Sequence, residues 1–211
     1  MSLARMRREY RGPVLLESRV PAAPLPLLKR WLADALRLGL VEPNAMTLAT
    51  ADARGRPRAR MVLLKQADAR GFTFYTNLES AKARELAARP HAALVLWWPA
   101  LHRQVRVEGR VARLGPAAAD AYFATRPRGA QLGAWASPQS RVVPARAALE
   151  RRLAEMHARF EGATVPRPPH WGGFRLLPRT IEFWQGRPDR MHDRLRYTRA
   201  RGRWTRARLA P

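Results

Sequence analysis

Residues 45–76 read AMTLATADARGRPRARMVLLKQADARGFTFYT. Three short apolar runs in this stretch are separated by two polar turn sequences, Asp52-Ala-Arg-Gly55 and Asp68-Ala-Arg-Gly71. Asp and Gly between apolar runs are typical of tight turns that join neighbouring antiparallel strands. The stretch therefore predicts a β-meander, which is the beginning of an antiparallel sheet or barrel.

The flanking sequence extends this sheet and adds helices. Upstream, apolar residues at helical spacing predict a helix over 27–40, behind an arm rich in arginine and proline. Downstream, the pattern predicts helices over 80–88, 116–125 and 144–160, strands over 92–98, 104–114 and 171–184, and a hairpin around Arg201-Gly202. We therefore predict a flexible N-terminal arm, residues 1–26, and one α+β domain, residues 27–211, with helices flanking a mostly antiparallel barrel or bent sheet.

Composition excludes several classes of protein. The 211 residues include no cysteine, so disulfides and thiolate chemistry are excluded, and a reducing cytoplasm is expected. No apolar run is long enough to span a membrane, and the first residues do not resemble a secretory signal. The net charge of +24 predicts attraction to polyanions, but the arginines are dispersed along the chain. Nucleic acid is therefore not the expected main partner.

No common cofactor or metal motif is present. The sequence contains no Gly-rich dinucleotide fingerprint, no phosphate-binding loop and no paired-histidine zinc helix. Its five histidines show no ligand spacing, so we expect no metal site. The candidate residues are instead cations and hydroxyl groups beside strands.

The first candidate cluster lies at the two ends of an apolar strand. Arg60 and Lys65 flank the sequence MVLL. Their odd spacing directs them to opposite faces of a regular strand, so one shared site would require a bulge or a ligand that wraps the strand edge. The alternative is two cations that extend into solvent from the strand ends.

The second cluster combines the end of a strand with the start of a helix. Tyr75, Thr76 and Asn77 are followed by Ser80 and Lys82. Free backbone N–H groups, a hydroxyl and an ammonium at a helix start can bind a phosphate. The alternative is an ordinary N-cap formed by Ser80.

Two later segments are also candidates. Gln139-Ser140 lies in a proline-flanked loop, which is either functional or a plain turn. Trp184 precedes the sequence Arg190-Met-His-Asp-Arg194, which contains two arginines and a histidine. An aromatic ring suits a flat ligand and guanidinium groups suit phosphate, so this is the densest candidate site.

Twelve short motifs, spread over nearly the whole chain, together match one known family in their order and in the spacing between them. They are RREY (7–10), RMVLLK (60–65), FYTN (74–77), RQV (103–105), YFATRPR (122–128), GAW (133–135), QS (139–140), Phe160, WGGF (171–174), IEFWQG (181–186), RMHDR (190–194) and RLAP (208–211). Together they resemble the pyridoxine/pyridoxamine 5′-phosphate oxidase family, which has the FMN-binding split-barrel fold.

The resemblance implies roles for individual residues. FMN would be bound by Arg60, Met61, Val62, Leu63, Leu64, Lys65, Tyr75, Thr76, Lys82, Gln104, Gln139, Ser140, Trp184 and Arg194. Substrate would be bound by Arg7, Arg8, Glu9, Tyr10, Lys65, Tyr122, Arg126, Arg190, Met191 and His192, with Arg190 and His192 as the catalytic groups. The family is homodimeric with FMN between subunits, which would allow Arg60 and Lys65 to serve one site.

The implied activity is FMN-dependent oxidation of pyridoxine 5′-phosphate and pyridoxamine 5′-phosphate to pyridoxal 5′-phosphate by dioxygen, with release of hydrogen peroxide. Two positions depart from the family pattern, Ala81 in place of arginine and Ala130 in place of serine, and neither is a reacting group. The alternatives are another split-barrel flavoprotein reductase and a non-catalytic module that binds a vitamin B6 phosphate or nucleic acid. The segment 190–194 favours the oxidase because it supplies substrate-binding groups.

Overall fold

Nine antiparallel strands form one sheet in the computed structural model of the chain, which describes residues 2–6 and 9–211. The strands are β1 (Ala45–Ala51), β2 (Pro57–Leu63), β3 (Gln66–Asp68), β4 (Gly71–Asn77), β5 (His91–Trp98), β6 (Arg103–Arg113), β7 (Trp171–Gln185), β8 (Asp193–Ala200) and β9 (Arg203–Leu209). Their order is β2-β1-β5-β6-β7-β4-β3, with β8 paired to β7 and β9 to β8. The final hairpin is confirmed, and so are the two turns of residues 45–76, which join β1 to β2 and β3 to β4. The continuous meander predicted there is wrong, because β2 and β3 are not neighbours in the sheet.

Connectivity forces the sheet to curl. Strands β2 and β3 lie at opposite ends of the strand order, yet only Leu64 and Lys65 separate them in the chain. The two edges of the sheet must therefore approach each other, and the Lys65 N–H donates to the Thr73 carbonyl oxygen at 2.9 Å. The result is a curled, barrel-like sheet, as predicted.

The long strand β7 divides the sheet. Its first part pairs with β4 and its last part pairs with β8, while β6 follows it along the other side. The register shifts between Glu108 and Gly109, opposite Pro178. A Cβ atom at Gly109 would lie 2.0 Å from the Leu177 carbonyl oxygen, so only glycine allows the two backbones to approach this closely.

Five α-helices flank the sheet in the described part of the chain: α1 (Pro24–Arg37), α2 (Ala81–Ala88), α3 (Pro116–Ala124), α4 (Arg128–Ala136) and α5 (Arg146–Arg159). Helix α1 begins three residues earlier than predicted, because proline suits a first helical turn whose N–H groups need no partner. Helix α4 was not predicted, since Gly129 and Gly133 interrupt its pattern. No helix of the described residues is long and apolar enough to cross a membrane.

Two apolar clusters hold these layers together. In the larger one, the fully buried side chains of Leu28, Trp31 and Ala35 bring α1 against the inner face of the sheet, where Leu48 and Phe183 lie. The smaller one joins the helices that follow β6 and includes Phe123, Leu132, Phe160, Val165 and Trp171. This second cluster positions α3 and α4 beside β4.

Residues 9–23 of the N-terminal arm lie against β8 and β9. The Leu15 N–H donates to Asp193 Oδ2 at 3.0 Å, and the Tyr197 hydroxyl donates to the Pro21 carbonyl oxygen at 2.8 Å. Arg208 donates to Glu17 and lowers the pKa of that carboxyl to about 2. The flexibility of the arm stays a prediction.

Candidate functional site

A cavity of about 900 Å³ opens between the curled sheet and the helices that follow β6. It is lined by β2, the end of β4, the first turn of α2, helices α3 and α4, and the loop after α4. Twelve of the predicted site residues line it: Arg60, Met61, Val62, Leu63, Lys65, Tyr75, Thr76, Lys82, Tyr122, Arg126, Gln139 and Ser140. The structure therefore brings together residues that are up to 80 positions apart in the sequence.

Lys82 is a buried ammonium group without a carboxylate partner among the described residues. Lys82 is the second residue of α2, and it is 8% exposed. Nζ donates to Thr76 Oγ1 at 3.1 Å, Gln139 Oε1 at 3.2 Å and Ser80 Oγ at 3.4 Å. Burial, followed by the nearby charge of Arg60, lowers the pKa of Lys82. Since a buried charge without a counter-charge is costly, this position favours an anionic ligand.

The first turn of α2 adds backbone donors beside Lys82. Ser80 occupies the N-cap position but makes no capping bond; its hydroxyl donates to the Asn77 carbonyl oxygen at 2.7 Å. The first N–H groups of a helix have no partner within the helix. Ala81 and Lys82, the first two residues of α2, line the cavity, and the ordinary side-chain N-cap considered for Ser80 is not formed.

Arg60 is held at the cavity by a buried carboxylate. Its Nη2 donates to Glu85 Oε2 at 2.8 Å, and Glu85, which is 6% exposed, also accepts the Thr50 hydroxyl. Lys65 reaches the same cavity because β2 ends at Leu63, so strand alternation no longer applies to it. Arg60 and Lys65 therefore line one cavity of a single chain, although their odd spacing would direct them to opposite faces of a regular strand. Leu64, between them, packs in the core instead.

Arg126 provides a second cation without an acidic partner among the described residues. Its guanidinium lies 4.8 Å from the centroid of the Trp171 ring and 5.5 Å from that of Phe123. Burial lowers the pKa of Arg126, and its buried Nη1 has no hydrogen-bond partner within the described chain. A buried donor of this kind needs an acceptor. Its position on the cavity wall indicates that a ligand supplies one.

Aromatic rings form the wall between these cations. The rings of Tyr75 and Tyr122 stack with centroids 4.0 Å apart, and Tyr75 also stacks on Trp171 at 5.4 Å. Lys65 Nζ lies 5.9 Å from the Tyr122 ring centroid. No acidic residue lines the cavity among the residues that the structure describes. The cavity is therefore strongly electropositive, with one flat apolar wall.

Three predicted residues that do not line the cavity, Gln104, Trp184 and Arg194, lie on a separate surface, the outer face of the sheet. Gln104 pairs with Trp184, which pairs with Arg194 across β6, β7 and β8. Directly paired residues of antiparallel strands project to the same face. Trp97 extends the row by one strand, and its ring lies 5.9 Å from that of Trp184. Arg194 is held by Glu182, from Nε to Oε1 at 2.9 Å.

Tyr10 and His192 pack onto this row. The rings of His192 and Trp184 are 4.7 Å apart, and the ring of Tyr10 lies 5.5 Å from His192 and 4.7 Å from His102. Burial, followed by the charge of Arg190, lowers the pKa of His192. Its Nδ1 accepts the Arg187 N–H at 3.1 Å, so the neutral ring carries its proton on Nε2.

A strained turn presents Arg190 beside this histidine. Asp189 and Arg190 have φ of 54° and 58°, in the left-handed region that non-glycine residues rarely adopt. Arg190 and Met191 are exposed there. Glu9 is exposed and pairs with Arg11. Arg7 and Arg8, predicted to contact substrate, lie outside the described residues.

The predicted residues thus form two groups in one copy of the chain. The cavity group consists of the twelve residues above, and the row group consists of Tyr10, Gln104, Trp184, Arg190, Met191, His192 and Arg194. No member of the row group is among the described residues that line the cavity. We did not predict site roles for Thr125, Ser137 and Trp171 in the cavity or for Trp97 and His102 at the row. Two of these, Thr125 and Trp171, lie inside the stretches that carry the resemblance.

Comparisons with known proteins identify relatives along the whole chain. The family description "Pyridoxamine 5′-phosphate oxidase" matches residues 32–160, and "Pyridoxine 5′-phosphate oxidase C-terminal dimerisation region" matches residues 171–211. The pyridoxine/pyridoxamine 5′-phosphate oxidase of Ectopseudomonas mendocina (strain ymp) is 57% identical, over 100% of this chain and 99% of that protein. The protein of the same name from a Synechocystis species is 55% identical, over 100% and 99%.

Solved structures show the same fold. PhzG from Burkholderia lata 383, in complex with tetrahydrophenazine-1-carboxylic acid, superimposes with a TM-score of 0.89 at 36% identity, over 95% of this chain and 99% of that chain. A pyridoxamine 5′-phosphate oxidase-related, FMN-binding protein from Nostoc punctiforme PCC 73102 superimposes with a TM-score of 0.72 at 20% identity. The predicted split barrel is thereby confirmed.

Proposed function

Because the chain belongs to the pyridoxine/pyridoxamine 5′-phosphate oxidase family, we propose that it binds FMN and oxidises pyridoxine 5′-phosphate and pyridoxamine 5′-phosphate to pyridoxal 5′-phosphate. Dioxygen is the proposed acceptor and hydrogen peroxide the second product. The observation that carries this proposal is the pair of cations formed by the buried Lys82 and the half-buried Arg126, whose Nη1 is itself buried. Each lines the cavity without an acidic partner among the described residues.

The cavity fits a ligand pair with two phosphate groups. Lys82, with the first N–H groups of α2, suits one phosphate, which carries a charge of about −1.5 to −2 at neutral pH. Arg126, with its unpartnered Nη1, suits another. A cavity of about 900 Å³ lies within the usual range of 300–1,000 Å³ for ligand sites. We assign the Lys82 position to the FMN phosphate and the Arg126 position to the substrate phosphate.

The residues of the chain bind and orient the reactants. FMN, when bound, supplies the hydride-accepting chemistry and passes electrons to dioxygen. Arg126 and Lys65 hold the substrate phosphate, so the substrate ring lies beside the aromatic wall of Tyr122. Orientation of this kind can lower a barrier by about 7–11 kcal/mol at best.

The row group completes the site from a second copy of the chain. His192 is neutral with its proton on Nε2, so it can donate a hydrogen bond to the oxygen or nitrogen of the reacting substituent. Arg190, on its strained turn, is free to reach the substrate ring. Because the row lies on the outer face of the sheet, we propose that a homodimer places it over the cavity of the partner subunit. The match of residues 171–211 to a dimerisation region supports this.

The test is spectroscopic and enzymatic. Purified protein reconstituted with FMN should show a bound-flavin absorption spectrum. Pyridoxine 5′-phosphate and pyridoxamine 5′-phosphate should each release hydrogen peroxide in step with pyridoxal 5′-phosphate. Unphosphorylated pyridoxine is the matched control, and it should turn over poorly because Arg126 and Lys65 lose their partner. Flavin binding without peroxide release would reject the oxidase, and an absence of flavin binding would reject the whole proposal.

A further inference from the structure

Four arginines from separate segments line a second cavity, of about 410 Å³, which we call the arginine pocket. Arg70 lies in the turn between β3 and β4, Arg113 ends β6, Arg175 lies in β7 and Arg199 lies near the end of β8. The lining is completed by Ala69, Ala112, Leu114 and Leu177. None of these residues also lines the larger cavity among those that the structure describes. The arginine pocket is therefore a separate place on the molecule.

The charges of the pocket are poorly balanced. The nearby carboxylate of Asp68 is occupied by Arg70, whose backbone N–H and Nη2 both donate to it at 2.8 Å. Arg175 donates from Nε to the neutral Thr73 hydroxyl at 3.3 Å. Within the described chain, Arg113 and Arg199 make no ion pair with an acid. Among the described residues, Asp68 is thus the single acid paired with any of the four arginines. Arg199 also lies over the Trp204 ring, with its guanidinium carbon 5.9 Å from the ring centroid. Like charges that line one pocket repel unless an anion joins them.

The surroundings indicate what kind of anion fits. Guanidinium groups form paired hydrogen bonds to phosphate oxygens, so they recognise phosphate better than a simple point charge does. Four guanidinium groups offer more N–H donors than the oxygens of one phosphate accept, so a second phosphate group would use donors that a single one leaves free. The alanine and leucine side chains between the arginines provide apolar surface for a small organic body. The volume is within the range of small-molecule sites, about 300–1,000 Å³.

We propose that the arginine pocket binds a small anion that carries at least two phosphate groups. The proposal does not depend on the oxidase activity, because the pocket shares no lining residue with the catalytic cavity among the described residues. Its wall is nevertheless continuous with that cavity. A Cβ atom placed on Gly173 would lie 2.7 Å from both Leu114 of the pocket and Tyr75 of the cavity.

The test is calorimetric titration of FMN-saturated protein with inorganic pyrophosphate, which has two phosphate groups and no organic body. We expect one pyrophosphate per chain, bound more tightly than orthophosphate. Arg175→Gln, Arg199→Gln and the exposed Arg113→Gln should each weaken pyrophosphate binding by at least about tenfold, the loss of one charged hydrogen bond. The matched control is Arg201→Gln in the adjacent turn, outside the pocket, which should bind as the wild type does.

Several outcomes would overturn the proposal. Equal binding by all the variants would show only general attraction to a basic surface. Orthophosphate binding as tight as that of pyrophosphate would remove the requirement for two phosphate groups. A single-stranded oligothymidine that displaces pyrophosphate at equal phosphate concentration would indicate a nucleic-acid surface instead. Loss of the signal in Lys82→Met alone would place the pyrophosphate in the larger cavity.

Discussion

Replacing Lys82 with methionine removes the buried ammonium of the 900 Å³ cavity and keeps a side chain of similar length. Under the proposed assignment, the lost contact is one charge-assisted hydrogen bond to the FMN phosphate. Such bonds contribute about 1.5–3 kcal/mol, so the Kd of FMN should rise by about 10- to 150-fold. Thr76 and Gln139, which surround Nζ, still bond to each other at 3.0 Å, so the local structure should persist.

The same substitution should stabilise the protein without FMN. The pKa of Lys82 lies below its usual value, because burial disfavours its charged form. Since the folded pKa is lowered, the penalty is present at neutral pH and disappears only as the pH rises towards 10.5 and above, where the unfolded chain also loses the proton. Methionine removes this penalty, so the melting temperature of the flavin-free protein at pH 7 should rise.

Lys82→Met should therefore bind FMN more weakly and yet melt at a higher temperature when flavin is absent. Fluorescence quenching of FMN measures Kd, and thermal melting of flavin-free protein measures stability. Lys29→Met, which removes an exposed ammonium from α1, is the matched control and should change neither quantity much. A Kd within threefold of wild type, or a lower melting temperature for Lys82→Met, would refute the phosphate assignment.

Three further predictions follow from the site and the arm. Arg126→Leu should raise KM for pyridoxine 5′-phosphate by about tenfold or more with little change in FMN affinity, because leucine cannot donate the hydrogen bond proposed from Nη1 to the substrate phosphate. Steady-state kinetics and flavin titration measure the two quantities separately. A change in FMN affinity alone would reverse the assignment. Arg190→Ala should lower turnover far more than FMN retention, and unchanged turnover of flavin-loaded variant would reject its catalytic role. Since the pKa of Glu17 falls from 4.5 to about 2 on folding, its pair with Arg208 stabilises the folded arm fully above pH 4.5, and this stabilisation is lost as the pH falls through about 2. Cleavage of the wild-type arm by an acid-active protease should therefore accelerate as the pH falls over that interval. Glu17→Gln should be cleaved rapidly at every pH in the interval.

Much of the fold follows from local pattern. The turns Asp52–Gly55 and Asp68–Gly71 were predicted correctly, because Asp and Gly favour tight turns within a few residues. The meander predicted from them was wrong, because the chain crosses from one edge of the sheet to the other between β2 and β3. Helix α4 escaped prediction since its stability comes from Leu132 packing against Phe123, a tertiary contact that no helical pattern displays. The bulge opposite Pro178 likewise depends on a partner strand some 70 residues away.

The site was less accessible to local reasoning. The alternation of side chains along a strand predicted that Arg60 and Lys65 project to opposite faces. Because β2 ends at Leu63, both side chains instead reach one cavity. Only the family resemblance, carried by the order of short motifs along the chain, assigned Gln139 and Lys82 to one site. In the structure, Lys82 Nζ lies 3.2 Å from Gln139 Oε1. The proposed pairing of the cavity with the row of a second chain does not follow from local sequence pattern, because it would depend on how two copies meet.

The central claim is that the cavity of one chain and the row of its partner form one active site. It is tested most directly by refolding together equal amounts of Lys82→Met and Arg190→Ala chains, each inactive alone at an FMN concentration that saturates only the wild type. Random pairing makes half of the dimers mixed, and each mixed dimer has one intact shared site, so about one quarter of wild-type activity should return. A mixture as inactive as its parents would contradict the account, because it would mean that both residues act within the same chain.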